Sequence, residues 1–345
     1  MLPKKVTSDY RERKKIDPKR KRGLFNWQQL EPYLYRDQDI AIMVHERPDG
    51  DAYGSALGLA ILLRSLGCRP RFLRVREPRA FTWLPGQELI QVIPRGDLVL
   101  SRDTVVLVLD CGDAERCEYF LGNKRPLLNA DHHISNPSFG ILNWVDVQAG
   151  ATAEVLCRLL AEEGVPIPAD AATCFLTALI TDTGWFRFSS AGPGTMACAA
   201  QLMDAGADAG LIRKNLWENR PFSELVLLQE VIGRYQIFHD RQAVICSLPY
   251  ETLVEKGIMD AETDNTMEMV RGVEGIEVTA LLKETEPGTV KVSLRSKYRL
   301  DCSALASIIG GGGHIRAAGC TVKGSLSEAE ELIRKLLDQA LSENQ

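Results

Sequence analysis

Apolar runs and helix-type repeats alternate along the first half of the chain. The run at 39–44 predicts a strand, and the apolar repeat over 53–66 predicts a helix that begins near Gly54 and ends at Gly67. Further strands are predicted at 71–75, 104–109 and 126–130, and further helices at 152–163 and 169–181. Strands that alternate with helices are typical of an α/β fold, with a parallel sheet that carries helices on both faces.

The pattern changes beyond residue 188. A loop at 189–194 precedes predicted helices at 195–205, 209–217 and 222–237. Farther on, strands are predicted at 243–248, 276–283 and 290–295, and helices at 303–309 and 327–341. A chain of 345 residues exceeds the ~100–200 of a typical single domain. We therefore predict a first domain at 24–218, a linker helix at 219–238 and a smaller α/β domain at 239–345.

Composition narrows the class of protein. A hydrophobic content of 45% with 25% charged residues is ordinary for a soluble globular chain, and no apolar run approaches the ~18 residues that a membrane helix needs. The N-terminus has no apolar stretch followed by a small-residue cleavage site, so we expect a cytoplasmic protein without a membrane segment. Nine cysteines without a CxxC pair favour reduced core thiols over zinc sites or disulfides.

The charge of the chain is unevenly distributed. Residues 1–23 form a basic arm of net charge +7, which leaves about −12 on the rest of a chain whose total is −5. The arm could contact the phosphates of a nucleic acid, although a short basic tail is more often only solvated. The functional prediction therefore depends on the two domains.

Candidate ligands for a metal ion follow the predicted strands. His45, Asp49 and Asp51 come after the first strand, and Asp110 comes at the tip of the strand at 104–109. Loops at the carboxyl ends of parallel strands bind ligands in such folds, and imidazole and carboxylate groups suit Mn²⁺ or Mg²⁺. A carboxylate at the end of a buried strand is costly unless it is paired or bound to metal, whereas Asp113 is expected to cap the next helix.

The run Asp131-His132-His133 follows the strand predicted at 126–130. Successive side chains of an extended backbone point to opposite sides, so we expect one imidazole to bind metal and the other to face the substrate or a supporting group. Asp131 could orient an imidazole by accepting its free N–H. Asp182 closes the helix predicted at 169–181, where a carboxylate meets the negative end of the helix dipole and needs a compensating cation.

These segments supply six candidate donors, which are His45, Asp49, Asp51, Asp110, His132 and Asp182. Such a set is enough to hold two ions about 3.5–4 Å apart with one bridging carboxylate. Two ions in that arrangement can activate water and stabilise the oxygens of an in-line phosphoryl displacement. The alternative for each segment taken alone is an ordinary polar turn.

The smaller domain holds a second set of candidates, for phosphate. Its glycine run at 310–313 includes Gly311, Gly312 and Gly313, and the backbone N–H groups of such a run can surround an anion. His314 and Arg316 add donors suited to phosphate, and Arg295 and Ser296 stand at the end of a predicted strand. The alternatives are a flexible turn and a solvated strand end. No role is assigned to His239.

With these motifs in view, the chain resembles the DHH phosphoesterase superfamily with a C-terminal DHHA1 domain. The resemblance covers residues 24–341 and rests on HxxxDxD at 45–51, Asp110, DHH at 131–133, Asp182 and GGGGH at 310–314. Within that superfamily, size and motif order resemble the stand-alone bacterial oligoribonucleases, or nanoRNases, that also act as 3′-phosphoadenosine 5′-phosphate phosphatases.

The resemblance implies hydrolysis of dinucleotides or very short RNA to mononucleotides from one end, with the substrate in a cleft between the domains. A phosphorylated nucleotide, 3′-phosphoadenosine 5′-phosphate, is a second expected substrate. Two Mn²⁺ ions are the expected cofactors, with Mg²⁺ or Co²⁺ as alternatives. A homodimer is left open.

The resemblance also implies a role for each candidate. His45 and Asp49 would hold one ion, Asp51, His132 and Asp182 the other, and Asp110 would bridge them. His133 would lie near the scissile phosphate, supported by Asp131, so that both act with Asp110 in catalysis. In the second domain, the terminal phosphate or nucleotide would be held by Arg295, Ser296, Gly311, Gly312, Gly313, His314 and Arg316.

Four other readings stay open. A phosphodiesterase of cyclic di-AMP or linear pApA would use the same domains. A RecJ-type exonuclease for single-stranded DNA needs a further binding domain that we do not expect within 345 residues. A manganese pyrophosphatase shares only the first domain, so GGGGH speaks against it. A non-catalytic binding module predicts an eroded ligand set, whereas this set is intact.

Overall fold

The structure, a computed structural model, describes residues 27–78, 80–119 and 126–343. The chain divides into two compact units, of which the first ends at Glu218 and the second begins at Asn219. The basic arm predicted at 1–23 lies outside the described residues.

A parallel sheet forms the centre of the first unit. Within the described residues its strands are β1 (Asp39–Met43), β2 (Arg69–Arg74), β3 (Ile90–Val92), β4 (Val105–Leu109), β5 (Leu128–Asp131) and β6 (Leu142–Val145). They run in the order β3-β2-β1-β4-β5-β6, and every neighbouring pair is parallel. The predicted α/β class with a parallel sheet is therefore confirmed.

Both faces of this sheet are packed, and β1 shows how. Ile40 and Ile42 belong to the large cluster that contains the helices. Ala41 and Met43 face a second cluster, which connecting segments complete with residues such as Phe139. A strand buried on both faces carries an unbroken apolar run, which is why the sequence identified β1 clearly.

The helices of the first unit are α1 (Gly50–Ser65), α2 (Thr152–Glu163), α3 (Ala169–Asp182), α4 (Pro193–Asp204) and α5 (Ala209–Arg213), and a π-helix follows at Lys214–Glu218. The predicted start of α1 near Gly54 was wrong. The helix begins at Gly50 because the Asp49 carboxylate accepts hydrogen bonds from the N–H groups of Asp51 and Ala52, both at 3.1 Å. The apolar repeat covers only the packed face of the helix, so it could not indicate that the polar residues before it form the first turn.

Small residues let α1 and α3 cross closely. A Cβ at Gly54 would lie 2.8 Å from the Cβ of Ala178, and one at Gly58 would lie 2.6 Å from the ring of Phe175. A Cβ at Gly50 would lie 2.6 Å from Cγ2 of Thr181, one residue before the end of α3. The crossing therefore brings the first turn of α1 against the last turn of α3.

The second unit contains a mixed sheet. Its strands are β7 (Gln236–Phe238), β8 (Ala243–Leu248), β9 (Val278–Glu286), β10 (Thr289–Ser296), β11 (Gly312–His314) and β12 (Ala317–Lys323). They run in the order β11-β12-β10-β9-β8-β7, in which β8 and β9 are parallel and the other pairs are antiparallel. The predicted smaller α/β domain is confirmed.

The helices of this unit are α6 (Phe222–Arg234), α7 (Tyr250–Glu255), α8 (Asp264–Arg271), α9 (Cys302–Ile308) and α10 (Leu326–Glu343). The helix predicted at 222–237 ends at Arg234, where the chain turns into β7. Leu227 and Val231 of α6 pack in a cluster with Leu253 and Leu281 of the second unit. That packing makes α6 part of the second unit's core.

Two expectations from composition concern the whole chain. All nine cysteines are buried, as predicted for thiols of the core. In the parts of the chain that the structure describes, every helix is too short or too polar to cross a bilayer.

Candidate metal centre

The strand order reverses between β1 and β4, which lie side by side although β2 and β3 separate them in sequence. At such a switch point the connections leave in opposite directions and open a crevice at the carboxyl ends of the strands. His45 follows β1 here and Asp110 follows β4. Their side chains meet, with His45 Nε2 at 3.6 Å from Asp110 Oδ2.

Asp110 leaves β4 in a left-handed conformation, with φ of 50°, which Asp tolerates better than most residues. Its backbone N–H donates to the carbonyl of Ala130 at 2.9 Å, and the hydroxyl of Thr152 donates to Oδ1 at 3.1 Å. The carboxylate is buried. It is thus fixed at the base of the crevice.

Asp51 lies in the first turn of α1, whereas the sequence placed it on a loop. Its carboxylate accepts hydrogen bonds from the N–H groups of Thr152 at 2.6 Å and Ala153 at 3.2 Å, and from the Ser55 hydroxyl at 2.8 Å. The N–H donors belong to the first turn of α2, where the helix dipole favours a negative charge. These contacts hold Asp51 in place.

Asp131 ends β5 and supports the histidines that follow it. Its Oδ1 accepts hydrogen bonds from the backbone N–H of His132 at 2.8 Å and, at 2.7 Å, from Nδ1 of His133, while Oδ2 accepts one from Asn136 at 2.6 Å. With Nδ1 of His133 engaged in this way, the other ring nitrogen, Nε2, is the one that can reach a ligand.

The expectation that the two imidazoles point to opposite sides was wrong. Their ring centroids lie 4.8 Å apart, and His132 Nε2 and His133 Nδ1 lie 3.8 and 3.7 Å from Asp110 Oδ1. The physical reason is that β5 ends at Asp131, so strand alternation does not extend to His132 and His133.

Asp182 is the last residue of α3, as the sequence predicted. Its Oδ2 lies 3.4 Å from His132 Nε2, and that nitrogen also lies 3.8 Å from Asp51 Oδ2. The close crossing of α1 and α3 is what brings the two carboxylates to one imidazole.

Three groups of side chains each bring their potential ligand atoms within 4.8 Å of one another. They are His45 with Asp49 and Asp110, Asp51 with His132 and Asp182, and Asp110 with His132 and His133. The structure thus gathers all six predicted donors in one cluster. Asp113, by contrast, caps a short helical turn by accepting a hydrogen bond from the N–H of Glu115 at 2.9 Å, which confirms its predicted role.

The electrostatics of this cluster favour a cation. Burial and the negative charges of Asp110, Asp182 and Asp49 raise the pKa of Asp51 well above its ordinary value. Burial also raises the pKa of Asp182 to about 6, with Asp110 and Asp49 adding to the rise and His132 opposing it. Burial acts against ionisation of Asp110 too, but the hydrogen bond from His45 and the neighbouring imidazoles hold its pKa below the ordinary value.

The pKa of His133 is also raised, to about 9, because its hydrogen bond to Asp131 outweighs the effect of burial. Its imidazole is therefore cationic near neutral pH in the metal-free chain. A cationic donor beside clustered carboxylates suits an anionic substrate such as a phosphoester.

The predicted phosphate ligands of the second unit are engaged with protein groups. Arg295 donates to Asp264 at 2.6 Å, and Arg316 donates to the carbonyl of Leu300 at 2.9 Å and to that of Tyr298. Ser296 is fully buried, and its hydroxyl donates to the Leu300 carbonyl at 2.6 Å. That bond gives the Ser296 side chain a structural role at the end of β10.

The glycine run, expected as a loop, enters the sheet as edge strand β11. Gly313 has φ of 146°, and a Cβ there would lie 2.6 Å from Cα of Ala318. A Cβ at Gly311 would lie 2.5 Å from Cβ of Cys320, whereas Gly312 is exposed, with open space around it. Close pairing with β12 accounts for Gly311 and Gly313. The side chain of His314 lies outside what the structure describes.

Three residues that position the cluster were missed by sequence reasoning. Thr152 binds both Asp51 and Asp110, Ser55 binds Asp51, and Asn136 binds Asp131. The predicted helix start at residue 152 was a usable signal for Thr152, because helix N-termini attract anionic groups. Ser55 and Asn136 carry no comparable signal.

Comparison with known families agrees with this architecture. The model of the DHH family, N-terminal domain, matches residues 39–179, and that of the DHHA1 domain matches residues 242–343. The chain belongs to the DHH family and is a metal-dependent hydrolase of phosphoester bonds.

Two relatives and one solved structure illustrate the likeness. "Bifunctional oligoribonuclease and PAP phosphatase NrnA" of Thermus thermophilus is 33% identical over 88% of this chain and 90% of its own length. The protein of the same name from Bacillus subtilis is 26% identical, over 86% of this chain and 93% of its own. An exopolyphosphatase-related protein from Bacteroides fragilis, 24% identical, shares the fold with a TM-score of 0.82 over 90% of this chain and 95% of that one.

Proposed function

We propose that this protein hydrolyses dinucleotides and other very short oligoribonucleotides to mononucleotides, using two divalent ions, with Mn²⁺ preferred. The observation that carries the proposal is the division of six donors into two sets of three, His45 with Asp49 and Asp110, and Asp51 with His132 and Asp182. The substrate class follows from the relatives, which are named as oligoribonucleases.

The donor set fits two cations. Asp51 and Asp182 have raised pKa values because buried carboxylates repel one another, and a divalent ion would supply the missing positive charge. Asp110 lies between the sets, with Oδ2 at 3.6 Å from His45 Nε2 and Oδ1 at 3.8 Å from His132 Nε2. When bound, two such ions activate water and stabilise the oxygens of the phosphoester.

The chain's own groups would then orient the substrate. Asp131 fixes the ring of His133 and keeps it charged, so that Nε2 donates a hydrogen bond to a non-bridging oxygen of the scissile phosphate. Thr152 holds Asp110 and Asp51 through two hydrogen bonds, which limits their movement as charge develops.

In the second unit we propose that the edge around Gly312, His314, Arg295 and Arg316 binds the substrate's terminal phosphate. Arg316 is oriented by two carbonyl acceptors, which would present its remaining N–H groups in a fixed direction. Arg295 would exchange its bond with Asp264 for the phosphate. Since Ser296 is enclosed, its contribution would be to hold the end of β10.

The experiment that tests the proposal is a substrate panel with the purified chain. Linear pApA, tri- and pentaribonucleotides, 3′-phosphoadenosine 5′-phosphate, cyclic di-AMP and pyrophosphate are each incubated with Mn²⁺ and with Mg²⁺, and products are separated by chromatography. We expect the highest kcat/KM for the linear dinucleotide with Mn²⁺, AMP as its product, and measurable conversion of 3′-phosphoadenosine 5′-phosphate to AMP.

The panel also separates the alternatives. Faster turnover of cyclic di-AMP than of pApA would assign the chain to cyclic-dinucleotide hydrolysis, and preference for long single-stranded DNA, added as a further substrate, would assign it to the exonuclease class. Absence of turnover for every ribonucleotide with both ions would refute the proposal.

A further inference from the structure

We propose that a buried hydrogen-bonded network of Tyr53, Arg74 and Glu118 positions the ligands of the first donor set, that of His45 and Asp49. In this network Tyr53 is a positioning residue, which acts on the ion through the ligands and does not touch it. The inference rests on the proposed function, because it requires that this donor set holds an ion. It assigns a part in metal binding to three buried polar side chains outside the ligand set.

One end of the network lies at the backbone of His45. An antiparallel bridge pairs the segment 44–46 with the segment 116–118. Before His45, the carbonyl of Val44 accepts a hydrogen bond from the N–H of Glu118 at 3.0 Å. After it, the N–H of Glu46 donates to the carbonyl of Arg116 at 2.9 Å. These two bonds flank His45, so the placement of Glu118 fixes the backbone from which the imidazole extends.

The side chain of Glu118 carries the network inward. Its Oε2 accepts a hydrogen bond from Nε of Arg74 at 2.6 Å, and its Oε1 accepts one from the N–H of Val75 at 2.9 Å. Arg74 in turn donates through Nη1 to the hydroxyl of Tyr53, and its guanidinium carbon lies 4.9 Å from the centre of that ring. All three side chains are buried. The ion pair therefore joins the end of β2 to α1.

The other end of the network lies at Asp49. Tyr53 belongs to the first turn of α1, and its N–H donates to the carbonyl of Asp49 at 3.1 Å. The ring of Tyr53 is fixed between Phe72 and Phe81, with centroids at 5.8 and 5.5 Å. Tyr53 thus connects the ion pair to the backbone of a second ligand of the same donor set.

The location of this network favours a role in metal binding over one in stability alone. A buried ion pair adds little stability compared with apolar side chains of similar volume, so its presence is weak evidence of a purely structural role. Groups that support metal ligands from outside the ligand set strongly affect metal affinity. In the second donor set, Asp51 already accepts three hydrogen bonds of its own, so we expect the first set to depend more on this network.

The test measures Mn²⁺ binding to each donor set separately, by calorimetry on the full chain. Asp182→Asn disables the second set and leaves the first, whereas His45→Ala disables the first and leaves the second. Tyr53→Phe, which removes only the hydroxyl, is added to each of these variants. In the Asp182→Asn protein we expect it to lower the remaining affinity by about tenfold. In the His45→Ala protein the affinity should change by less than about twofold.

The same substitution in the otherwise wild-type chain should lower one of two Mn²⁺ affinities and leave the other unchanged. The matched control is Tyr119→Phe, which also removes one hydroxyl from a buried tyrosine of the first unit. That hydroxyl donates to the carbonyl of Ile93 at 2.7 Å, away from the network. Tyr119→Phe should lower the melting temperature as Tyr53→Phe does, while both affinities stay as in the wild type.

A second variant separates positioning from stability. Arg74→Met/Glu118→Leu replaces the ion pair with apolar groups and should remain nearly as stable as the wild type, because no charge is left unpaired. The network is nevertheless broken, so the affinity of the first set should fall at least as far as in Tyr53→Phe. A purely structural role would predict wild-type affinity for this variant.

Unchanged Mn²⁺ affinity of the first set in Tyr53→Phe would overturn the inference. Equal losses in the two donor sets, or an equal loss in Tyr119→Phe, would also overturn it, because these results indicate general destabilisation. The proposed function fails on a different result, which is that the wild type neither binds two ions nor cleaves pApA. If the wild type does both and Tyr53→Phe keeps both affinities, only the network is refuted.

Discussion

At the scale of single residues, Asp110 is the side chain that lies between the two donor sets, as a member of the set with His45 and Asp49 and at 3.8 Å from His132 Nε2 of the other set. We expect Asp110→Asn to lower kcat on pApA by more than about 100-fold, because supporting groups outside the ligand set already contribute about 10- to 100-fold and this residue would serve both ions. Steady-state kinetics measure the loss, and circular dichroism should show an unchanged fold.

Asp113→Asn provides the matched control for that variant. Asp113 lies three residues away and caps a short turn, so its replacement should leave kcat within about twofold and cost at most about 1 kcal/mol of stability. Similar activity in the two variants would contradict the assignment of Asp110 as a shared ligand.

A second prediction for single residues concerns the buried ion pair of Arg74 and Glu118. Arg74 Nε donates to Glu118 at 2.6 Å, and Glu118 also accepts from the N–H of Val75 at 2.9 Å. Glu118→Ala would leave a buried guanidinium without its partner, so we expect a loss of about 3–5 kcal/mol in the free energy of unfolding. Urea denaturation measures it.

The double variant Arg74→Met/Glu118→Leu tests that reasoning. Replacing both charges with apolar groups removes the cost of an unpaired charge, so most of the lost stability should return. A double variant no more stable than Glu118→Ala would show that the unpaired guanidinium is not what destabilises the single variant.

The role of polar residues near strand ends could be predicted, because a charged group directly after a buried strand is unusual. A carboxylate after a buried strand, as at Asp110, needs a compensating partner, and that requirement is visible in the sequence. The contacts of Asn136 and Ser55 could not be predicted, since polar residues of their kind occur on any loop or helix and only the folded backbone brings them to Asp131 and Asp51.

At the scale of elements, the crossing of α1 and α3 positions two of the carboxylates. We expect Gly54→Ala to destabilise the first unit by about 1–3 kcal/mol, because the added Cβ would lie 2.8 Å from the Cβ of Ala178 and overlap with the carbonyl of Cys174. The variant should also weaken Mn²⁺ binding, since the helices would separate near Asp51 and Asp182. Urea denaturation and calorimetry measure the two effects.

Gly233→Ala is the corresponding control. Gly233 lies in α6, and a Cβ added there would meet open space, so alanine should stabilise the helix by up to about 1 kcal/mol through its higher helix propensity. If both glycine variants change stability by the same amount, helix packing is not what restricts Gly54.

A second element-scale prediction concerns the β9–β10 pair. Lys291 stands directly opposite Lys283, whose pKa is lowered by burial first and by the charge of Lys291 second. We expect Lys291→Gln to stabilise the second unit by about 0.2–1 kcal/mol at pH 7, because like charges opposite each other repel. The cost of a lowered pKa of a base is present in full below that pKa and is lost as pH rises from it to the ordinary value, so the gain should shrink over that range.

Urea midpoints at pH 7 and at a pH near 10 would measure that gain and its decline. Lys323→Gln is a suitable control, since Lys323 stands opposite Thr289 and donates to its hydroxyl at 2.9 Å. A stabilising effect of Lys323→Gln equal to that of Lys291→Gln would show that the opposed charges are not its cause.

Long elements with a strong apolar pattern were predictable, and short ones were not. The helices α2 and α3 agree with their predicted ranges to within one residue. The strands β3 and β6, of three and four residues, were missed because they lie at the sheet's edges, where fewer positions are buried. The edge strand β11 was taken for a loop because glycines carry no apolar pattern at all.

At the scale of the whole molecule, metal binding and stability should be coupled through protons. Asp182 has a pKa raised from 3.8 to about 6, so the metal-free fold binds this proton more tightly than the unfolded chain does. Its contribution to stability is therefore present at acid pH and is lost as pH rises toward 6. A divalent ion would reverse the trend, because it binds the same carboxylate only in the charged form.

We therefore expect the apparent affinity for Mn²⁺ to be level between pH 7 and pH 8. Below about pH 6, protonation of Asp182 should lower this affinity by up to tenfold for each pH unit. Calorimetric titration of Mn²⁺ between pH 5 and 8 measures this dependence. In Asp182→Asn the affinity should be lower throughout, and the step near pH 6 should be reduced, because the competing proton is gone. An affinity that is the same at pH 5 and pH 8, or a step unchanged in Asp182→Asn, would show that this carboxylate does not bind the ion.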